Sequence, residues 1–582
     1  MFLVTTPDER AWKKDEKILF LGEWCKLYER KQIWSQLDYL VAPYHWDNRK
    51  QLFKDFKYLN DIYEKYLALY AGKLNEVHGC EHSVRYWRII IGPWFRYYVE
   101  VLYDRYITVI QARDRGDVSS TWLLQSDPSD WVPYDSGQLY KYAISDSWNV
   151  YMYGEIIKFL GGIPYTEKKI KNLPPEVKQN VNQIIVPKTL LKILRLYSRL
   201  LPEKWKKIVF FASGFGDVNA VRLSLKLGQV PFWLPDIDFD HVEVEKQTRE
   251  KLKVSSADSE FELILEKLTP MQVPKIYLEG FVNLRDKILR NFPQQPKIIF
   301  TANAYNSNDI FKIWAAEKTA HDTKLLITQH GGNFGTSLWE QSEDHQVLIA
   351  DKFYIWGRSN REEKTLKTMP AGKLVRAKNQ ISAHEKGSIL MVLAGVPRYS
   401  YRMFSHHVAP QFLDYISYQI AFMEKLSQPV QNKLNVRLYS LDHKWGVEQR
   451  IRDKGLGHLI DTNNHSYRQA LNKSRLCVST YNSTTYLETF VADYPTLMFW
   501  NPGHWELRTK AQPYFDSLRQ VGILHDTPET AAILLNEIYE DPKAWWQQPE
   551  VQAAKDEFCD AFANTGKDWI NEWKAELNKI VK

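Results

Sequence analysis

The chain has 582 residues, 44% of them hydrophobic, with 21 Trp, 33 Tyr and 26 Phe. At roughly 150 residues per domain, that length suggests two to four domains with large cores. The charged fraction is an ordinary 25%, and no long low-complexity block appears, which excludes wholesale disorder, collagen and coiled coil. The net charge of +7 is spread along the chain. It is too weak for a nucleic-acid footprint, though it permits attraction to anionic lipid headgroups.

The most apolar stretch, Tyr86 to Tyr103, is broken by Arg88, Arg96 and Glu100, so no membrane span is expected. The first residues turn charged at Asp8, Glu9 and Arg10 and do not read as a signal peptide. Cys25, Cys80, Cys477 and Cys559 lie far apart, as reduced thiols of a cytoplasmic protein would.

Short apolar runs at Phe2–Thr5 and Ile18–Leu21 open the chain, and helical periodicity follows over about 50–74 and 83–113. Residues 114–150, rich in Asp, Ser, Trp and Pro, read as irregular loop with short helices. From Lys207 the texture becomes strand, turn and helix. Strands are expected at Ile208–Phe211, Lys297–Phe300, Leu325–Thr328 and Phe353–Trp356, with helices at Val218–Leu227 and Asp309–Ala320. The polar stretch from Arg358 to Lys386 reads as an interdomain linker. The rhythm then restarts, with strands at Ile389–Leu393, Val436–Tyr439, Leu476–Ser479 and Thr496–Phe499, and a helix at Gln411–Leu426. The tail reads as helical from Thr527, an N-cap followed by Pro528. Alternation of this kind predicts an α/β protein with parallel sheets, and two such units place a ligand in the cleft between them.

Five stretches carry candidate chemistry. In Leu476–Phe490 a buried strand runs into a small, polar turn and a helix, so Ser483, Thr484 and Thr485 would stand at a helix N-terminus with Asn482 before them. Free N–H groups and the positive dipole end favour a phosphate there. Glu488, a turn further on, could accept from a ribose, and a plain N-cap is the competing reading. In Thr328–Gly335 a strand ends at Gln329 and His330, followed by Gly331 and Gly332. The carboxyl ends of parallel strands bind ligands, and a near-neutral histidine can take a hydroxyl proton. The alternative is a turn histidine bonded to backbone.

Arg437 lies inside an apolar strand, a costly place for a charge without a partner or an anion. With Arg398 and Arg402 it could neutralise a diphosphate, and a structural ion pair is the other reading. The loop Phe211–Asn219 has glycines after a strand but neither nucleotide fingerprint; Asp217 could touch an acceptor hydroxyl or stand solvated in a turn. Asp236, Asp238 and Asp240 have the Asp-x-Asp spacing of metal-dependent sugar transferases, but nothing near them completes an oxygen ligand set. No metal or cofactor is expected.

Several Trp-rich motifs carry a family resemblance. They are Phe20-Leu21-Gly22-Glu23-Trp24-Cys25, Pro43-Tyr44-His45-Trp46-Asp47, Arg85-Tyr86-Trp87-Arg88 and Gly92-Pro93-Trp94. Gln329-His330-Gly331-Gly332, Ser479–Glu488 and Phe499–Arg508 complete the set, which spans nearly the whole chain. On these the chain resembles the transferases encoded in O-antigen and other surface-polysaccharide clusters. One departure is Leu441–Trp445, where that family carries an aromatic residue and a glycine before the tryptophan. More widely the chain is similar to GT-B glycosyltransferases, in the style of teichoic-acid polymerases and capsule Kdo or sialic-acid transferases.

The resemblance implies two Rossmann-like domains in a GT-B arrangement, with a helical N-terminal elaboration and C-terminal helices. It implies an acceptor-side domain over 1–375 with a helical insertion at about 45–200, and a nucleotide-donor domain over 385–582. The Ser/Thr turn would hold the donor phosphate, His330 would act as base or orient a phosphate, and no metal would be bound. The implied partners are a nucleotide-sugar donor and a glycan or lipid-linked saccharide acceptor, met in the cytoplasm with peripheral contact to the inner membrane left open. A cytidylate-activated donor fits the similarity; uridine and guanosine diphosphate sugars stay open. Transfer of a polyol phosphate from a cytidine-diphosphate donor and a non-catalytic glycan-binding role are the competing functions.

Overall fold

The computed structural model describes residues 1–169, 197, 201–231, 234, 237–357, 365–463 and 465–581. Part of the expected helical insertion, from 170 to 200, therefore lies outside the described residues except for Tyr197.

Three five-stranded sheets, all parallel, organise the chain. The first holds β1 (Phe2–Val4), β2 (Ile18–Phe20), β3 (Tyr39–Val41), β4 (Ser120–Leu124) and β5 (Tyr165–Lys168), in the order β3-β2-β1-β4-β5. Between β3 and β4 run α1 (Arg49–His78) and α2 (Val84–Asp114). Asn48 and Ser83 cap them through their side chains, and Gly79 ends α1 in the left-handed region at φ 61°. The N-terminal elaboration is thus a sheet unit as well as a pair of long helices, and residues 114–150, read as loop, contain β4. Its strand residues alternate between half-buried and buried, and β5 is mostly exposed, so neither shows the unbroken apolar run by which a central parallel strand is recognised.

The second sheet holds β6 (Ile208–Phe210), β7 (Ile298–Thr301), β8 (Lys324–Thr328), β9 (Lys352–Ile355) and β10 (Leu366–Thr368), lying side by side in chain order. Its helices include α3 (Asp217–Lys226) and α4 (Asp309–Thr319). All four residues of β7 are buried. The stretch read as a linker supplies β10 to this sheet and then α5 (Gly372–Lys378).

The third sheet holds β11 (Ser388–Val392), β12 (Leu434–Arg437), β13 (Ser474–Ser479), β14 (Thr496–Phe499) and β15 (Leu524–His525), in the order β12-β11-β13-β14-β15. Around it lie α6 (Phe412–Lys425), α7 (Thr484–Val491) and α8 (Pro528–Ile538), and the last helix, α9 (Trp569–Val581), packs on the second unit. Thr527 caps α8 by accepting from the Thr530 N–H.

One apolar core joins the first and second sheets, with α2 packed on α4, and the third sheet has its own. The chain end crosses back: on α9, Trp573 meets Phe215, Phe300 and Tyr354 of the second unit. Among the described residues no helix is long and apolar enough to cross a membrane.

Candidate active site

The His330 loop and the Ser/Thr turn, about 150 residues apart in the chain, touch. The Gly332 N–H donates to Thr484 Oγ1 at 3.1 Å. A Cβ on Gly332 would stand 2.5 Å from the Ser483 carbonyl oxygen, so only glycine lets these backbones meet. Gln329 pins the loop from inside: its Nε2 donates to the Gly331 carbonyl at 2.6 Å, and its Oε1 accepts from the Trp356 N–H at 2.9 Å.

His330 itself is half-buried, its ring edge-on to Phe334 at 5.0 Å and tilted to Tyr305 at 6.3 Å. Its Nδ1 is enclosed without a partner. Burial, with help from the charges of Lys373 and Arg402, pushes its pKa down to about 4. The imidazole is therefore neutral at physiological pH and free to accept a proton.

His330 lines a cavity of about 550 Å³ at the carboxyl ends of β6, β7 and β8. One wall is the turn before α3, where Gly214 and Gly216 sit at φ 80° and 78°. Asp217, the first residue of α3, is exposed on that wall. Another part of the lining is cationic: Lys373 and Arg376 on α5, and Arg468, with Arg376 reaching Gly216. Only Lys373 has a carboxylate within 4.0 Å among the described residues, Glu488 at 3.6 Å. Burial and the neighbouring Arg376 charge both lower the pKa of Arg468. Two guanidiniums so close with no paired carboxylate make an anion-binding wall.

Sequence reasoning missed Lys373 and Arg376 because they lie in the apparent linker, and Arg468 because no motif surrounds it. The signal was present in Gly372–Lys378, where Leu374, Val375 and Ala377 are the buried side of a short helix.

The turn residues have divided roles. Ser483 is half-buried and extended, and its side chain caps nothing, so the plain N-cap reading does not describe it. Thr485 Oγ1 shares a 2.5 Å hydrogen bond with the Tyr481 hydroxyl. Asn482 is 1% exposed; it accepts from the Tyr486 hydroxyl at 2.9 Å, and its Nδ2 lacks a partner. Glu488 is buried behind Lys373.

The three arginines read as a possible diphosphate clamp are not brought together. Arg398 is sealed 3% exposed, with its Nη2 forked on Asp146 at 2.8 and 2.9 Å and its Nη1 donating to the Trp24 carbonyl at 2.6 Å. Arg437 donates to the His465 carbonyl at 2.8 Å. Neither Arg437 nor Arg402 has an ion pair among the described residues. Asp236 lies outside the described residues; Asp240 pairs with Lys287 at 3.2 Å and does not line the His330 cavity. The motif Trp505–Arg508 proves to be a strut. Arg508 forks on Glu343 just after the His330 loop, and Glu506 receives the fork of Arg49 from the start of α1.

The sequence profile of the LIC12162 family transferases matches residues 1–577. The chain belongs to that family. Membership in the LIC12162 family makes it a transferase, and the match runs through all three sheet units. No match was found among curated proteins. Among solved structures the chain is similar to WaaG, described as a glycosyltransferase involved in lipopolysaccharide biosynthesis. The identity is 10%, over 52% of this chain and 95% of that one, with a TM-score of 0.26. At that score the likeness adds nothing on fold or activity.

Proposed function

We propose that this transferase moves a sugar from a nucleotide-activated donor to a surface-glycan acceptor. The observation that carries the reading is that Lys373, Arg376 and Arg468 line one cavity together with a neutral His330. Donor phosphates bind the wall, with the Ser483 and Thr484 hydroxyls and the uncapped start of α7 beside it. Asn482 and Thr485 shape the turn, and Glu488 holds Lys373. His330 takes the proton of the acceptor hydroxyl as that oxygen attacks the anomeric carbon. The carbon–oxygen bond to the donor phosphate breaks, and the charge left on phosphate meets cations already in place. Asp217, in the lining of the same cavity, contacts an acceptor hydroxyl.

In this reading the acceptor side is built on 1–375 and the donor side on 385–582, and the enzyme needs no metal. It works in the cytoplasm at the inner face of the membrane. A cytidylate-linked acidic sugar is the preferred donor.

The test is calorimetry and thermal shift with CMP, CDP, UDP and GDP on the protein and on Lys373→Ala/Arg376→Ala and Ser483→Ala/Thr484→Ala. At 100 times the dissociation constant a bound nucleotide adds about 2.7 kcal/mol. One base is expected to bind, and to bind far more weakly to both variants. A folded protein that binds none of the four overturns the reading. A product containing phosphorus in its new linkage would replace sugar transfer by polyol-phosphate transfer.

A further inference from the structure

Arg402 is a cation outside the donor wall, held on aromatic rings and without an ion pair among the described residues. Its guanidinium lies 4.0 Å from the ring centre of Phe404 and 5.2 Å from that of Tyr401. Its Nε is enclosed with no partner, and no carboxylate stands within 4.0 Å among the described residues. Nearby Glu340, which accepts from the Ser342 N–H at 3.2 Å and from Asn333 Nδ2 at 2.6 Å, offsets its charge from beyond ion-pair range, which leaves the guanidinium's donors open. A half-buried guanidinium left this way costs stability unless an anion completes it.

Its surroundings come from a different part of the chain than the donor wall. Tyr97 on α2 lies 6.2 Å from Tyr401, and Tyr140, from the short helix Ser136–Ala143, meets Tyr401 edge-on at 5.0 Å. All three tyrosines and Arg402 are half-buried, leaving part of each open. Arg402 does not line the cavity of Lys373, Arg376 and Arg468. His330 links the two regions: it lines that cavity, and its ring neighbours Tyr305, next to which Asn306 accepts from the Tyr97 hydroxyl at 3.3 Å.

We propose that Arg402, framed by Tyr97, Tyr140 and Tyr401, is a second anion subsite that takes the acidic group of the acceptor saccharide. The proposal rests on reading the His330 cleft as the transfer site: with donor phosphates on the Lys373 wall, an anion held separately beside the base belongs to the acceptor. The rings offer the apolar faces of a sugar a stacking surface, and the guanidinium offers a fork to a carboxylate or phosphate.

The experiment measures binding of glucuronate, glucose 1-phosphate and glucose at matched ionic strength. It uses the Lys373→Ala/Arg376→Ala/Arg468→Ala background, where the three donor-wall cations are removed, with Arg402→Gln and Arg402→Lys added to it. At least one anionic sugar is expected to bind roughly tenfold or more tighter than glucose. Arg402→Gln should erase that preference and Arg402→Lys should weaken it. The anion that shows the larger loss identifies the group as carboxylate or phosphate. Equal binding of all three sugars, or a preference that survives in Arg402→Gln, overturns the proposal. Should Arg402→Gln not fold, an undiminished preference in Arg402→Lys does the same. Failure of every nucleotide to bind, with this preference intact, would instead remove the donor reading and leave an acidic-glycan site.

Discussion

Two groups of cations in this molecule answer the cost of burying charge in opposite ways. At the seam between the first sheet unit and the segment after β11, Arg398 is nearly sealed, forked on Asp146 and bonded to the Trp24 carbonyl, while Tyr399 donates to the same Asp146 at 2.8 Å. In the cleft, Arg376 and Arg468 stand together with no carboxylate within 4.0 Å among the described residues. A charge satisfied inside the protein builds structure; one left unsatisfied in a cavity points to a ligand. In the sequence Arg398 and Arg402 lie four residues apart and look alike, yet they fall on opposite sides of this line.

The largest effect should separate these groups. Arg398→Ala strips Asp146 of its bidentate partner, leaving it only Tyr399 and the exposed Lys444 at 3.9 Å, and is expected to cost about 3 kcal/mol or more in urea unfolding. Arg376→Ala removes a repulsion and no ion pair, and its stability should stay within about 0.5 kcal/mol of the parent. If the two variants unfold alike, the division drawn above fails.

A middle effect tests the contact that assembles the cleft. In Gly332→Ala the new methyl meets the Ser483 carbonyl at 2.5 Å. Neither backbone can yield without moving the His330 loop or the start of α7, so a loss of about 1 to 3 kcal/mol is expected. Nucleotide affinity should fall with it. Gly331→Ala is the control, since its nearest neighbour is the Asn333 side chain at 3.2 Å. A Gly332 variant as stable as the Gly331 variant would mean the loop and turn are not held together as described.

How much of this was legible follows from what kind of signal each element leaves. Most strands of the second and third sheets are built on apolar runs between turn residues, β10, β12 and the two-residue β15 excepted, and Ile298–Thr301 and Ser474–Ser479 stand within two residues of where the pattern puts them. In the first sheet β1, β2 and β3 have three residues each and β5 is mostly exposed, so only the apolar runs at Phe2–Thr5 and Ile18–Leu21 register in the sequence. At the site, His330 and Thr484 could be found one by one, because each sits at the end of a strand or start of a helix. Their contact could not, since nothing local records a meeting across 152 positions. Arg376 was hidden by composition: a polar stretch reads as linker unless the few apolar residues within it are seen to face a core. Arg398 misled for the same reason in reverse, because its partner Asp146 is 252 positions away.

The smallest effect returns to the neutral side of the cleft. Burial holds the His330 pKa near 4, below the ordinary 6.5, so the unfolded chain binds a proton at pH values where the folded protein does not. Stability from this residue is whole above pH 6.5 and is lost as pH falls through the range from 6.5 to 4. Comparing the parent with His330→Gln isolates it from the other buried histidines. The parent should lose roughly 1 kcal/mol more than the variant between pH 7 and pH 5.5. With donor phosphate mimicked by pyrophosphate on the Lys373 wall, the added negative charge should raise the His330 pKa and narrow that gap. The same pyrophosphate leaves the gap unchanged in Lys373→Ala/Arg376→Ala, because the anion is no longer held beside the imidazole. A gap that pyrophosphate does not move in the parent would mean that the cationic wall and the histidine do not share one bound group.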